Sequence, residues 1–357
     1  MNDNHHRRKR LLKATAFLGL FMAGASLYGQ QTFGTTIYFD YTYYLSSKGP
    51  KTAAPVNTPG FMDNYFAFRR AYLTYENKIS DNLKFRFRTD ADTVKALDKS
   101  GKPDDKTRPF IKHLYLEWSN LIPKSSIKVG MADTITFKLA EDRWGYRSVA
   151  KTLLDGFKDV TGKDIDATSA DLGVSLSGTI SKELRCAVQV TNGAGYAHPE
   201  GDGYKKLMAQ AQAVPFAGLS LVGYADFEKQ SPGRNAATYK GDAYLEMVKG
   251  LVLGAEYFIY VNGLNRTADG LAYKVSGLSV FDRSALVPDK LNAFARYDSY
   301  EPNSRASNDR TSLAIAGLDW APVHSSFKLQ PNVWYYTYAD SAKKDDLVFN
   351  LTFFLSF

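Results

Sequence analysis

Lys84-Phe85-Arg86-Phe87-Arg88 carries a cation at every second position, with phenylalanine between. In an extended chain that spacing puts Lys84, Arg86 and Arg88 on one face. Like charges so arranged repel unless acids or passing anions sit between them. Arg70 and Lys128 fall on the same inferred face of neighbouring extended runs, with His113 beside them; the acids of those runs are Glu76, Asp90, Asp92 and Glu117. The chemistry such a wall supports is electrostatic, because a stripe of Arg and Lys offers fixed charge in place of an anion's lost hydration. Later runs put Asp171, Asp226, Glu228, Asp242, Glu246, Glu256 and Asp298 on the corresponding face. A basic wall is therefore expected to oppose an acidic one, with a transverse field between them.

Covalent and metal chemistry is poorly supplied. Beyond residue 29 the histidines are His113, His198 and His324, and Cys186 is the only cysteine. His113 and Glu117 share a face but lie about 13 Å apart along a strand, too far for a catalytic dyad. One cysteine allows neither a disulfide framework nor a CxxC metal site. Gly193-Ala194-Gly195 follows an extended run and precedes no helix, so it implies no nucleotide loop. The expectation is a chain that is not an enzyme, with no cofactor and no metal.

The elements that position the charged wall are strands. Aromatic residues make up 14% of the 357 residues, mostly 23 Tyr and 22 Phe, and such side chains suit a pleated surface. The N-terminus reads as a secretory signal peptide: a basic stretch from His5 to Lys13, a short apolar run from Ala14 to Ala25, then small residues. Cleavage fits after Ala25 or after Gly29, and we take residues 1–29 as the signal. Those residues hold five Lys/Arg and one Asp, so removing them takes the formal net charge from +8 to near +4 and leaves no case for nucleic-acid binding. After residue 30 alternation replaces helical periodicity. Sixteen runs result: 32–45, 62–78, 82–92, 110–119, 126–136, 169–180, 183–192, 204–214, 217–228, 238–248, 251–262, 270–282, 290–300, 310–320, 326–339 and 346–357.

Connections between these runs alternate in length, long after the first, third and fifth and short after the second, fourth and sixth. Short turns at one end, long loops at the other and an even strand number describe a 16-stranded antiparallel transmembrane β-barrel over residues 30–357, with long external loops and short periplasmic turns. Lipid offers no hydrogen-bond partner, so a sheet there must close on itself. Arg69 is the misfit, since adjacent Arg69 and Arg70 must face opposite ways unless a bulge intervenes. We expect Arg70, Tyr72, Thr74 and Glu76 to face inward. Trp334, Tyr336 and Tyr338 suit either an aromatic girdle or, if they face inward, an aromatic slide for sugars. The final run alternates to its end: Leu347 through Phe357 put Leu and Phe outward, with Phe354 inward and unexplained.

The stretch FRRAYLTYENKISDNLKFRFRTDAD (Phe68 to Asp92) resembles the early hairpin of the phosphate-selective porin O and P family. KVGMADTITF (Lys128 to Phe137), EDRWGYRSVAKTLLD (Glu141 to Asp155) and SADLGVSLSGTI (Ser169 to Ile180) extend the resemblance to about a third of the chain. It implies a homotrimeric outer-membrane porin of a Gram-negative-type bacterium. Residues 137–168 would fold into the lumen as a constriction loop that carries Lys138, Arg143, Arg147 and Lys151. That loop holds six cations and six acids, which departs from the dense cation cluster of phosphate-specific members. The expected function is passive diffusion of small hydrophilic solutes with a mild anion preference. The alternatives are a substrate-specific channel for sugars or carboxylates and a non-channel barrel, either adhesin or enzyme. Expected partners are outer-membrane lipid, small anions and the barrel-assembly machinery, for which Phe357 would be the assembly signal.

Overall fold

The computed structural model describes residues 29–46, 64–92, 96–97, 103–104, 108–157, 169–196, 199–266, 271–303, 305–306 and 308–357. The expected signal peptide lies outside them, apart from Gly29. The barrel strands are β1 (Gln30–Ser46), β2 (Asn64–Lys78), β3 (Leu83–Asp92), β4 (Arg108–Ser119) and β5 (Ser125–Asp133). Next come β6 (Ala170–Thr179), β7 (Leu184–Thr191), β8 (Lys206–Phe216), β9 (Leu219–Ser231), β10 (Arg234–Leu245) and β11 (Leu251–Arg266). The rest are β12 (Ala272–Val287), β13 (Leu291–Glu301), β14 (Thr311–Trp320), β15 (Phe327–Tyr338) and β16 (Asp346–Ser356). Each strand pairs antiparallel with its sequence neighbours, and β16 pairs with β1, which closes the sheet into a 16-stranded barrel. A two-residue ladder, Ala96–Leu97 with Pro103–Asp104, decorates the connection from β3 to β4. Between β5 and β6 lie two helices, α1 (Lys138–Trp144) and α2 (Leu153–Gly156).

Burial runs opposite to that of a water-soluble protein. Leu116, Val129, Val174, Val188, Leu207, Leu221, Leu278 and Val333 are exposed on the outside, whereas Arg70, Asp90, Lys112, Lys206, Asp242 and Asp298 are buried inside. Ionised groups are almost never buried unless paired, and an outward apolar band with a polar interior is what a lipid-spanning barrel presents. On β16, Asp346, Val348, Asn350 and Thr352 face in and Leu347, Phe349, Leu351 and Phe353 face out, in the expected register. Phe354 also faces in, opposite Tyr38 and Lys328, whose ammonium sits 6.0 Å from its ring centre.

The structure corrects several expected strand ends. β5 stops at Asp133, because residues 135–137 turn into α1. β10 runs from Arg234 to Leu245 rather than from 238 to 248, which leaves only Pro232 and Gly233 between it and β9 and puts Glu246 in the following turn. The turn after β6 is Ile180 to Glu183 rather than two residues.

Two bulges explain the charged misfits. Tyr38 pairs with Arg70 and Phe39 with Phe68, so Arg69 is an extra residue with no partner in the ladder. Arg88 pairs with His113 and Thr89 with Ile111, so Lys112 is a second extra residue. A bulge shifts the alternation by one. Outward residues are even-numbered before it (Phe66, Phe68) and odd-numbered after it (Leu73, Tyr75) in β2. In β4 Ile111 faces out and then Leu114, Leu116 and Trp118 do. The phase slip lets Arg69 and Arg70 share the inner face, as Lys112 and His113 do.

Candidate functional site

The segment from Phe137 to Phe157 lies inside the barrel. Phe137, Leu153 and Leu154 pack on Ala236, Phe258, Tyr260, Val275 and Tyr300 from β10 to β13. Trp144, Tyr146, Val149 and Ala150 pack on Phe294, Leu313, Ile315 and Tyr336 from β13 to β15. Large apolar side chains such as Trp144, Leu153 and Leu154 are fully buried, worth about 1.5–3 kcal/mol apiece. This burial outweighs the exposed pairs such as Lys138–Asp142, typically about 0–1 kcal/mol each.

Local geometry fits that seat. Gly145 ends α1 in the left-handed region (φ 73°) and donates its N–H to the Glu141 carbonyl. Gly277 of β12 lets Leu153 and Phe258 come within what would be Cβ distance (2.9 and 2.5 Å). Trp334 and Tyr338, with Tyr336, belong to the wall that grips the segment, and Trp334 donates to Asn332 at 2.7 Å. They are neither a girdle nor an open slide.

Between α1 and α2 the chain is irregular, and four successive carbonyls are taken by side-chain donors. Arg69 donates to the carbonyls of Ser148 and, at 3.2 Å, Val149. Trp144 Nε1 donates to Ala150 at 2.9 Å, and Arg296 to Lys151 at 2.6 Å. Ser148 also donates its hydroxyl to Gln330 at 2.6 Å. The segment thus leans on β10 to β15 and on Arg69 of β2, and its other side faces the wall of β2 to β5. A cavity of about 40 Å³, lined by Tyr72, Arg88, Lys112, His113, Asp133 and Lys138 among others, lies between the two.

All five expected wall cations lie on the inner face of the barrel, at different degrees of neutralisation. Arg70 is buried, 3.4 Å from Asp90, and donates to Tyr72 at 2.7 Å. Lys84 stands 3.4 Å from Glu117 and 3.9 Å from Glu76, and Arg86 donates to Glu76 at 2.5 Å. Arg88 donates to Thr74 at 2.8 Å and lies over the Tyr72 ring; Lys128 lies over Tyr115. Neither Arg88 nor Lys128 has a carboxylate at ion-pair distance among the described residues. The acids placed between the cations relieve the repulsion that spacing two creates. Two aromatic rings complete the floor: Arg70, Arg88 and Lys112 all lie within 5.4 Å of the Tyr72 ring centre, and Arg86 and Lys128 within 5.9 Å of Tyr115.

Sequence spacing missed Lys112 and Arg69, although the phase slip in the outward residues marks both. It ruled out a His113–Glu117 pair and did not foresee the acid that His113 does meet. His113 meets Asp133 at 3.1 Å, not Glu117. His324 accepts from the Ser326 backbone N–H in a turn, and His198 lies outside the described residues. Among the described residues no group of His, Cys, Asp or Glu is placed to hold a metal ion.

The expected acidic wall is present but compensated. Asp226 stands 3.2 Å from Lys206, Asp242 and Glu256 share Lys240, and Asp298 is chelated by Arg296. Glu246 pairs with Arg143 from its turn. In the lumenal segment, Arg147 meets Glu141 at 2.8 Å and Asp155 at 3.0 Å, and Lys151 meets Asp155 at 3.0 Å. Burial pushes the Asp155 carboxyl up, but Lys151 and Arg147 outweigh it and hold it below its ordinary range. For a lowered carboxyl the stabilisation is complete above the unfolded value, about 3.9 for aspartate, and is lost as pH falls through the lower folded value. Protection of residues 137–157 from proteolysis is therefore expected to hold from neutral pH down to about 4 and to weaken below it, as the segment loses its Arg147–Asp155 tie. Asp155→Asn should show the acid-type susceptibility already at pH 7.

The chain matches no family model, and no curated protein matches it in sequence. Solved structures are similar in fold. The outer membrane channel DcaP of Acinetobacter baumannii aligns over 92% of this chain and 97% of its own, at 12% identity and a TM-score of 0.62. OmpF of Salmonella typhi, in complex with daunomycin, aligns over 92% and 98%, at 13% identity and 0.60. OmpT of Vibrio cholerae aligns over 92% and 98%, at 10% identity and 0.59. At such identities the likeness is one of fold: this chain folds as a porin-like transmembrane β-barrel.

Proposed function

We propose that the chain is an outer-membrane porin of a Gram-negative-type bacterium, a passive diffusion channel for small hydrophilic solutes with a mild anion preference. One observation carries the reading: the inner face of β1–β5, opposite the segment that fills the other side of the barrel, bears more cations than acids. The cations are Arg69, Arg70, Lys84, Arg86, Arg88, Lys112 and Lys128; the acids are Asp40, Glu76, Asp90, Glu117 and Asp133. The segment 137–157 acts as the constriction. Lys138, Arg143, Arg147 and Lys151 each have an acid partner, so the constriction itself adds little net charge. This favours general anion preference over phosphate specificity. In planar bilayers with a salt gradient, reversal potentials should indicate anion preference, with chloride and phosphate both permeant. Cation preference, or no conductance, would overturn the reading.

A second reading, a channel for organic carboxylates, draws support from the Tyr72 and Tyr115 rings beneath the cations. It requires dicarboxylates to outcompete chloride in the same bilayers. A homotrimer is proposed from the crowding of outward aromatics on adjoining strands, such as Phe39 stacked on Phe353 and Tyr41 against Phe66.

A further inference from the structure

The lumenal segment is held on the side next to the cation wall by one residue that the regular strand pattern has no place for. Arg69 is the extra residue of the β2 bulge. Its guanidinium pairs with Asp40 of β1, which also accepts from Thr352 of β16 at 2.5 Å, and reaches the carbonyls of Ser148 and Val149. Arg70, its neighbour on the same face, turns instead to Asp90 and Tyr72 at the passage. The bulge thus divides adjacent arginines between two tasks, and it couples the position of the segment to the position of the wall.

Arg147 immediately precedes the clamped Ser148. Arg147 is held close enough to Arg70 and Lys112 for the three cations to act on one another. Left to itself, that repulsion would drive Arg147 away from the wall. Glu141 and Asp155 neutralise it but lie on the same segment and move with it. Only ties to the barrel resist the movement; nearest to Arg147 these are the packing of Tyr146 on Phe294 and two polar ties, Arg69 and the Ser148–Gln330 hydrogen bond.

We propose that Arg69 is a positioning residue that sets both the bore and the anion preference of the passage, by clamping the Ser148–Val149 backbone and so holding Arg147 opposite Arg70 and Lys112. The inference rests on the diffusion-channel reading above. Lysine cannot replace it, since a single ammonium lacks the planar fork that serves a carboxylate and two carbonyls together.

The test uses the full chain in planar bilayers and in liposome-swelling assays with sugars of increasing size, with folding checked by heat-modifiable gel migration. Arg69→Ala and Arg69→Lys should both raise conductance, shift the sugar exclusion limit upward and reduce the anion preference. A tether then separates clamping from mere folding. In a Cys186→Ser background, Ser148→Cys with Gln330→Cys, joined by a short bifunctional thiol reagent, should restore the wild-type exclusion limit and anion preference to Arg69→Ala. Reduction should abolish that rescue. With Arg69 intact the same tether should change nothing, a result readable even if Arg69→Ala does not fold. An unchanged exclusion limit in both Arg69 variants, no rescue by the tether, or a tether that alters the Arg69-intact channel would each overturn the proposal. Absence of conductance in the wild-type chain would instead overturn the channel reading on which it rests.

Discussion

Chains that end at Ser356, or that carry Phe357→Asp, are expected to accumulate in the outer membrane at a small fraction of the wild-type level, while those that do insert conduct as the wild type does. Phe357 is 72% exposed and touches no pore-lining group. Its backbone exchanges two hydrogen bonds with Thr35, which the substitution preserves and the deletion removes. A charge at the edge of the hydrocarbon costs about 0–1 kcal/mol, against about 2–4 kcal/mol for Lys or Arg at the midplane. Equilibrium energetics therefore allow Phe357→Asp and penalise Leu351→Arg, which faces outward in mid-strand. Were Phe357 read by the assembly machinery, as the sequence leads us to expect, the behaviours of the two variants would dissociate. Phe357→Asp should refold into liposomes with near-normal urea stability yet fail in cells, whereas Leu351→Arg should fail in both. Wild-type levels of heat-modifiable Phe357→Asp barrel in membrane fractions would remove the assembly role.

The barrel itself was legible because lipid imposes a strict period of two, and a one-residue slip would turn a whole strand inside out. Lys84, Arg86 and Arg88 face inward for that reason, as do Asp171, Asp226, Asp242 and Asp298. The same regularity hid the bulges. Arg69 reads as an error in an alternating pattern, and Lys112 passes unremarked, until the outward apolar residues on either side are compared and seen to change parity. The lumenal segment was legible as a long insertion, and its place in the lumen only as what the family resemblance implies. Its seat depends on Gly277, Phe294 and Ile315, which come from strands far along the chain and carry no local mark of their partner. The charge balance of the walls was misjudged for a related reason. Counting acids on β6 to β13 shows a negative wall, but Lys206, Lys240 and Arg296 sit among them and neutralise much of it.

That neutralisation identifies which cations matter. A cation already paired with a carboxylate presents little net field to a passing ion; Arg88 and Lys128, held by Thr74 and by aromatic rings with no carboxylate at ion-pair distance among the described residues, present more of theirs. At 4 Å a unit charge in a water-like medium is worth about 1 kcal/mol, so reversing its sign changes a passing ion's energy by about 2 kcal/mol. A Debye length of about 8 Å at physiological ionic strength confines the effect to the neighbourhood of each residue. Arg88→Glu with Lys128→Glu turns the excess of two positive charges among these β1–β5 wall groups into an excess of two negative ones. The expected result is a cation-selective channel, with the anion-to-cation permeability ratio changed by about tenfold or more at low salt and by less at high salt, as about 1.4 kcal/mol per decade requires. Glu76→Gln with Glu117→Gln should act in the opposite direction, because it unmasks Lys84 and Arg86 without touching a cation. Both double variants leave the contacts of the 137–157 segment in place, so the sugar exclusion limit should hold while selectivity moves. If reversal potentials stay put in both, the β2–β5 wall is not what the permeating ion senses.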